Sequence, residues 1–454
     1  MRSTPASAPA QKQSPAQPLL ILAALFLLAV MTVVDHAVPL FALDGLTAAM
    51  GALVLLVAAS IVTYSRRHMR ASDASRYFGN MVGLLSATTA FLTTNHVLIF
   101  AAGWIASGVF LARLIGHVQG WSSARRSARL AADCFMATDA ALVLGLGLLS
   151  WRFGTASIAE IVARVSQMPS FSAELAAALL AVAALARCAI PPLSRWLLAS
   201  MTAPTPVSAL MHAGMVNAGG FLLLRFAPLL EAAPFVRLSL VGIGAIGALY
   251  GIGVMIVRPD IKRSLAGSTV SQMSFMILTC GLGAYAAALW HIVAHGMFKA
   301  WLFLGTGMTI RAPQVERVRP PVLAALGVSV LVLGAGFAAG IVDPQAPAFL
   351  PMAFALTTAI LTFLTLPQSG GRTRQIAGTG AMVAMLIAVH MLGLFAAESL
   401  YQRSAPAILP ASAQLILALL FSLALLWQFK PSAAARQLPR WLYVRLLNAG
   451  AIRA

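Results

Sequence analysis

Two adjacent apolar stretches near the middle of the chain decide its fold: residues 265–282 (LAGSTVSQMSFMILTCGL) and residues 285–310 (YAAALWHIVAHGMFKAWLFLGTGMTI). Each has the length of about 20 residues that an α-helix needs to cross a bilayer. A membrane barrel would instead alternate apolar and polar residues along short strands. Continuous apolar runs therefore predict transmembrane helices, because a helix satisfies its backbone hydrogen bonds internally.

The composition extends this prediction to the whole chain. Of its 454 residues, 60% are hydrophobic and 9% are charged, with a mean hydropathy of +0.88. An ordinary globular domain is about 25% charged. The chain has too little polar surface to cover a water-soluble particle, which excludes a soluble enzyme and makes the lipid bilayer its expected surrounding.

The same length criterion predicts an all-α polytopic membrane protein with about fourteen helices. The predicted spans are 18–34, 46–65, 78–94, 97–117, 128–150, 173–199, 204–226, 237–257, 265–282, 285–310, 321–342, 347–367, 376–397 and 410–429. Residues 1–17 are polar and rich in Pro, Ala, Ser and Gln, which predicts a disordered tail before a transmembrane domain over 18–429. The run that begins at residue 18 is too long for a signal-peptide core, so we expect a retained span.

The charge distribution predicts the orientation. The chain has 31 Lys and Arg against 12 Asp and Glu, a net charge of +19, and the cations cluster in alternate loops. Because cytoplasmic loops carry the Lys/Arg excess, both termini are expected in the cytoplasm. The basic residues form no stripe interleaved with aromatics, so nucleic acid is not an expected partner.

Three short segments depart from simple spans. Pro191 and Pro192 interrupt the sixth predicted helix, and Pro204 and Pro206 open the seventh. Broken backbone at membrane depth is tolerated only inside protein or beside water. Residues 154–166 are too short to cross and are expected along the outer interface, and residues 430–454 predict an amphipathic cytoplasmic tail.

Ionisable residues inside the spans are the candidate functional groups, because each is costly in hydrocarbon. Lys299 lies near the centre of its helix, and His291 and His295 precede it by two turns and one turn on the same face. Histidine exchanges protons near neutral pH, so this spacing is typical of a proton relay. The alternative is structural: the histidines bond to backbone and the lysine extends toward the interface.

Five other residues complete the candidate ion pathway: Asp139, Arg187, His212, His390 and Glu398. Arg187 lies just before the double proline and keeps its proton, so it is either a fixed charge or a donor to carbonyls freed by the break. Asp139 needs a cation, and Arg187 is the nearest candidate. His212 is either a core residue or part of the pathway. His390 and Glu398 would form a second outlet of the pathway.

Motifs for bond chemistry are missing from the sequence. It has no Walker loop, no dinucleotide-binding glycine motif, no HExxH and no pair of catalytic carboxylates. Its three cysteines lie in apolar stretches without a ligand-spaced partner. We therefore expect neither a metal nor another cofactor in this chain, and no catalytic residues.

Residues 204–213 (PTPVSALMHA) and 260–307 (DIKRSLAGSTVSQMSFMILTCGLGAYAAALWHIVAHGMFKAWLFLGTG) resemble signature stretches of the proton-translocating antiporter-like family. That family includes the L-type membrane subunit of respiratory complex I, the Mrp cation/proton antiporters and DabB, the membrane subunit of an inorganic carbon pump. The resemblance covers about 65–310. It implies a bundle with broken helices and places Lys299, His291, His295, Asp139 and His212 on the family's ion-pathway positions.

Two departures from the family pattern favour the DabB type. The family's tryptophan-glutamate pair reads Trp104-Ile105, and its broken-helix lysine reads Arg187. Both argue against pumping of the complex I kind, and the sequence also stops without that subunit's long lateral helix. The resemblance then implies a multi-pass subunit in a bacterial inner membrane that conducts protons, with Na⁺ as the second choice of ion. Beside it the resemblance implies a cytoplasmic DabA-like partner that holds zinc in a site like that of carbonic anhydrase.

Two other interpretations stay open. The chain could instead serve an Mrp-type antiporter or a complex I-like quinone oxidoreductase. A third interpretation is a membrane anchor whose ionisable residues are remnants.

Overall fold

The computed structural model describes residues 40–68, 71–118, 120–306, 322–340, 342–365, 372–428 and 438–451. Within these ranges the protein is almost entirely helical, and its only extended pairings are two isolated bridges, Phe41 with Thr94 and His96 with Ser157. The α-helices are α1 (Gly45–His68), α2 (Ala71–Thr93), α3 (Val97–Ile115), α4 (Ser122–Phe153), α5 (Ile158–Arg164), α6 (Ser170–Arg187), α7 (Arg195–Ala199), α8 (Thr205–Ala213), α9 (Ala218–Arg225), α10 (Ala227–Glu231), α11 (Pro234–Val257), α12 (Ile261–Leu282), α13 (Tyr285–Gly305), α14 (Val322–Ala338), α15 (Phe349–Thr365), α16 (Arg372–Leu400), α17 (Ala411–Gln428) and α18 (Arg440–Leu447).

The helix positions agree with the predicted membrane spans. Helical segments overlap every predicted span from 46–65 to 410–429, while the first, 18–34, lies outside the described residues. Among the described residues, eight helical segments are long and apolar enough to cross a bilayer, and shorter apolar helices follow them. The prediction of an all-α polytopic membrane protein is confirmed, and its orientation stays a prediction.

Glycines bring α11 and α12 into close contact. A Cβ on Gly251 of α11 would lie 2.3 Å from the Ser271 backbone nitrogen of α12, and one on Gly244 would lie 2.7 Å from the Ser274 carbonyl oxygen. Small residues are what membrane helices use where backbones approach closely, because lipid supplies no hydrophobic drive for association. The backbones of these two helices therefore lie in close contact.

The predicted breaks lie where the helices end. α6 ends at Arg187, the Pro191–Pro192 peptide bond is cis, and the chain re-enters a helix only at Arg195. Pro204 caps α8 and Pro206 occupies its first turn, where a missing N–H costs no hydrogen bond.

The structure adds a second break that the sequence analysis missed. The predicted span 204–226 is divided into α8 and α9 by residues 214–217, although nine-tenths of the span is buried. The Asn217 side-chain amide donates to the Ala213 carbonyl oxygen at 2.8 Å, which satisfies a carbonyl at the end of α8. This break is stable because it lies inside protein, as broken backbone at this depth requires.

The two predicted surface segments both contain short helices. α5 has seven residues and an i, i+4 ion pair between Glu160 and Arg164. α18, in the predicted tail, packs on α11 through Leu446, and Arg258 donates to the Ala449 carbonyl oxygen. Residues 429–437 and 452–454 lie outside the described part, so the boundaries of the tail stay a prediction.

Candidate ion pathway

The first buried polar group, which we call the Asp139–Arg187 cluster, joins α3, α4 and α6 through Asp139, Arg187, Trp104 and Ser107. Arg187 Nη2 lies 3.1 Å and 3.2 Å from the two carboxylate oxygens of Asp139. The same nitrogen donates to the Trp104 carbonyl oxygen at 2.8 Å, and Nη1 donates to Ser107 Oγ at 3.2 Å. The Trp104 indole N–H donates to Asp139 Oδ1 at 2.8 Å.

The charged side chains of this cluster are buried, so they interact with one another and not with solvent. The Arg187 side chain is 2% exposed and that of Asp139 is 7% exposed. The guanidinium also lies 4.9 Å from the Trp104 ring centroid and 4.5 Å from that of Phe135, within cation–π range. Within the Asp139–Arg187 cluster, Arg187 Nε is the one buried side-chain atom without a hydrogen-bond partner. The nearly neutralised pair is suited to hold a fixed charge arrangement and poorly suited to release protons, because a guanidinium stays protonated.

Ile105 takes no part in this cluster. It occupies the position where the family resemblance places a glutamate, yet its side chain is 38% exposed while neighbouring Trp104 is fully buried. The carboxylate that contacts Arg187 comes from α4 instead. The counter-ion of Arg187 in this chain is therefore Asp139.

The second group, the lysine–histidine cluster, consists of Lys299, His295 and His291 on α13 with His212 on α8. Lys299 is 1% exposed, and its Nζ donates to Ser268 Oγ at 2.9 Å and to the Leu265 carbonyl oxygen at 3.3 Å. These two bonds use two of the three donors of an ammonium. Lys299 is thus held inside the protein by α12 and does not extend to the interface. His291 and His295 bond to the backbone of Gln272 and His212, as the structural alternative supposes.

The tautomer of neutral His212 follows from its hydrogen bonds. Thr269 Oγ1 lies 3.0 Å from His212 Nδ1 and gives its own proton to the Leu265 carbonyl oxygen, also at 3.0 Å. Since that hydroxyl has one proton, its oxygen accepts from His212 Nδ1. Nε2 then carries the lone pair and is ready to accept a proton.

The positions of the three histidines relative to one another and to Lys299 make their charges interdependent. The His291 and His295 rings are stacked with centroids 5.9 Å apart, and His212 stacks on Phe303 at 4.3 Å. A positive charge on Lys299 repels a positive charge on His212 and on His295. A proton that reaches one of them therefore favours loss of a proton from another.

Unpartnered nitrogens run through the lysine–histidine cluster. Nε2 of His212, His291 and His295 is buried without a hydrogen-bond partner, as is the Oδ1 of nearby Asn217. Buried polar atoms in native proteins nearly always have partners, either protein or water. In the lysine–histidine cluster these are therefore the atoms that stay available for a further hydrogen bond.

The two residues of the predicted second outlet, His390 and Glu398, lie in different environments. The Trp290 indole N–H on α13 donates to His390 Nδ1 on α16 at 2.9 Å, which ties that histidine to the helix of the lysine–histidine cluster. Glu398 is exposed, and among the described residues none is hydrogen-bonded or ion-paired to it. The structure brings His390 to the pathway and leaves Glu398 at the surface.

Sequence reasoning missed the residues that hold the charged groups. Trp104, Ser107, Ser268 and Thr269 are all buried or half-buried partners of candidate residues. Hydroxyl side chains are common in these spans and satisfy their own helix carbonyls equally well. Only the three-dimensional contacts distinguish the ones that face Lys299 and His212. Among the described residues, no group of three or more His, Cys, Asp or Glu could hold a metal ion.

Comparison with known proteins assigns this architecture to a family. Residues 94–319 match the transmembrane family of NADH:quinone oxidoreductases and Mrp antiporters. This part of the chain belongs to that family. The matched segment contains both polar clusters, so the resemblance seen in the sequence is confirmed.

Proteins similar to this chain include inorganic carbon transporter subunits and respiratory enzyme subunits. A probable inorganic carbon transporter subunit DabB of Hydrogenovibrio crunogenus is 34% identical over 320 residues, covering 68% of this chain and 62% of the relative. NADH-quinone oxidoreductase subunit L of Mycobacterium tuberculosis is 36% identical over 279 residues, covering 61% of this chain and 44% of the relative. The chain spans 49–62% of the length of the inorganic carbon transporter subunits that it matches.

A solved structure supports the same fold. The Mrp complex from Dietzia sp. DQ12-45-1b is similar with a TM-score of 0.57 and 24% identity, over 90% of this chain and 45% of that one. Together with the apolar helices, these findings show a multi-pass membrane protein with an antiporter-like fold.

Proposed function

We propose that the chain is the ion-conducting membrane subunit of an inorganic carbon uptake system. The observation that carries this proposal is Lys299, a fully buried amine in one cluster with His212 and His295, whose Nε2 atoms lack hydrogen-bond partners. A charged group in hydrocarbon is costly and marks an ion pathway in membrane proteins. The names of the DabB relatives supply the cargo, inorganic carbon.

In this proposal the transported ion is a proton. Histidine and lysine bind protons directly, whereas Na⁺ prefers oxygen ligands, and three of the four members of the lysine–histidine cluster are histidines. A proton moves between water and an Nε2 atom of a histidine. Repulsion between that positive charge and the charge of Lys299 then favours release of a proton to the next group. The Asp139–Arg187 cluster provides fixed charges that orient this movement and does not itself conduct.

The partner in this proposal is a DabA-like zinc protein on the cytoplasmic side. Its zinc site, like that of carbonic anhydrase, would convert CO2 to bicarbonate, and proton flow through this chain would bias that step. Support for a partner comes from the relatives, which are named as subunits. The zinc chemistry belongs to the partner, and no cofactor is assigned to this chain.

The test is growth in air of a bacterium whose carbon uptake depends on this chain and its partner. Lys299→Ala is expected to abolish growth in air and to leave growth in high CO2 unchanged, because diffusing CO2 then bypasses the transporter. The matched control is Lys262→Ala, which removes a half-buried lysine from the first turn of neighbouring α12. Equal amounts of each variant in the membrane, and equal co-purification with the partner, separate conduction from assembly.

Growth of Lys299→Ala at the normal rate in air would reject the proposed role of this lysine. If the double variant Lys299→Ala, Asp139→Asn also supports carbon uptake, the chain is a membrane anchor. Co-purification with other antiporter or quinone oxidoreductase subunits would favour the second candidate function, a subunit of an Mrp-type or complex I-like complex. The similarity to NADH-quinone oxidoreductase subunit L supports that candidate.

A further inference from the structure

A third polar group lies where α10 ends and α13 begins, at the side predicted to face outward. We call it the Glu231 cluster, made of Glu231, Tyr285, Arg237, Tyr401 and Arg403. Glu231 is the last residue of α10, and Tyr285 is the fully buried first residue of α13. Glu231 Oε1 and the Tyr285 hydroxyl oxygen are both buried and both lack a hydrogen-bond partner.

The neighbouring cations do not satisfy these atoms. Arg237 donates to the carbonyl oxygens of Gly281, Leu282 and Pro406 at 2.9–3.1 Å, and Arg403 Nη1 is 3.9 Å from the other carboxylate oxygen, Glu231 Oε2. The Tyr401 hydroxyl donates to the Leu224 carbonyl oxygen. Tyr285 also lies against Tyr401, with ring centroids 6.4 Å apart. The Glu231 and Tyr285 oxygens thus remain unused, although Arg237 and Tyr401 of the same group are hydrogen-bonded.

Charged groups on the other helices around Glu231 have partners of their own. On α5, Glu160 pairs with Arg164, and on α6, Glu174 accepts the backbone N–H groups of Phe235 and Val236. On α9, Arg225 pairs with Asp44. The balance at Glu231 is set by burial, which raises the pKa of its carboxyl, and by Arg403 and Arg237, which lower that pKa in part. The net effect is a raised pKa, which brings proton exchange closer to neutral pH.

Tyr285 also shares a helix face with the lysine–histidine cluster. The buried positions of α13 include Tyr285, Ile292, His295 and Lys299, one continuous stripe. His291 lies beside this stripe and follows Tyr285 by six residues, a helix rise of about 9 Å at about 1.5 Å per residue. Roughly three hydrogen bonds of about 2.8 Å, through two water molecules, would span that distance.

We propose that Glu231 and Tyr285 form the outer proton-exchange site of this chain, a site that rests on the proton-conducting function proposed above. Glu231 takes a proton from outside water and becomes neutral. Because the carboxyl and the Tyr285 hydroxyl share no direct hydrogen bond, water carries that proton to the Tyr285 oxygen, while the tyrosine passes its own proton to water on the side of the lysine–histidine cluster. Each cycle returns both residues to their starting states, so one proton enters for each one delivered.

The experiment measures inorganic carbon uptake by intact cells as a function of external pH, with the full chain and its partner. Glu231→Gln is expected to lower uptake at least tenfold and to flatten the external pH dependence, and Glu231→Asp is expected to restore both. Tyr285→Phe, which removes a single oxygen, is expected to slow uptake about tenfold at an unchanged amount of membrane protein. The control Glu160→Gln removes an exposed carboxylate on the same predicted side and is expected to behave as wild type.

Wild-type uptake and pH dependence in Glu231→Gln or in Tyr285→Phe, together with inactive Lys299→Ala, would overturn the exchange site and leave the proposed function standing. Full uptake by Lys299→Ala would instead remove the proposed function itself. If Glu231→Gln fails to reach the membrane, Glu231→Asp and Tyr285→Phe decide: a loss of uptake in Tyr285→Phe alone supports the site, and normal uptake in both overturns it.

Discussion

Arg187 and Lys299 are both fully buried cations, and the protein holds them in different ways. Arg187 has a carboxylate, a carbonyl oxygen and a hydroxyl around its planar guanidinium, between two aromatic rings. Lys299 has a hydroxyl and a carbonyl oxygen and, among the described residues, no carboxylate. A paired cation is stable and inert, whereas an amine without a counter-ion exchanges its proton more easily. This difference is why we place conduction at Lys299.

A double-mutant cycle tests the Asp139–Arg187 cluster. Asp139→Asn and Arg187→Gln are each expected to destabilise the protein by about 3–5 kcal/mol, because each leaves a buried charge without its partner. The double variant leaves no charge and is expected to recover much of that loss. Thermal unfolding of the detergent-purified proteins measures the effect, and equal additive losses in the cycle would contradict a coupled pair.

Breaks and close approaches determine where these side chains lie at the scale of helices. α9 begins after the break at 214–217 and packs directly on the end of α6, so a Cβ on Gly219 would lie 2.2 Å from the Ala184 carbonyl oxygen and 2.6 Å from Cys188 Sγ. The same turn of α6 positions Arg187. The glycine therefore sets the distance between the two broken helices.

Gly219→Ala should destabilise the protein, since its methyl group meets backbone that cannot move away cheaply, with an expected cost of about 1–3 kcal/mol. The matched control is Gly242→Ala on α11, whose methyl group would meet nothing within 4 Å. It is expected to leave stability unchanged or to raise it by a few tenths of a kcal/mol through helix propensity, roughly the scale of such exposed substitutions. Thermal midpoints of the two variants in detergent provide the comparison, and equal midpoints would refute the close contact.

At the scale of the whole molecule, alternate loops and helix ends are rich in cations, and those between them carry few. The start of α4 carries Arg125, Arg126 and Arg129, while the end of α16 carries Glu398. Because Lys and Arg accumulate in cytoplasmic loops, the first is expected inside the cell and the second outside. The Glu231 cluster then faces outward, as its proposed exchange role requires.

Cysteine labelling tests this orientation. In a variant whose half-buried Cys134 is alanine, the exposed Ser399→Cys should react with a membrane-impermeant maleimide in intact cells, and Ser122→Cys only after permeabilisation. Cys188 and Cys280 are buried and should stay unlabelled in both. The reverse labelling pattern would invert the topology and with it the assignment of the outer site.

The apolar runs and their lengths were sufficient to predict the helical spans, because the hydrocarbon imposes one backbone solution on every long apolar segment. The position of Lys299 and the histidine spacing on α13 were equally visible, since a helical face follows from spacing alone. Tertiary structure decided the rest. The break at 214–217, the turn of Trp104 toward Asp139, the exposed Ile105 and the unpartnered Glu231 and Tyr285 oxygens all depend on contacts between helices distant in sequence. In lipid, helices contact one another through complementary shape and hydrogen bonding. These contacts cannot be predicted from the sequence of any one helix.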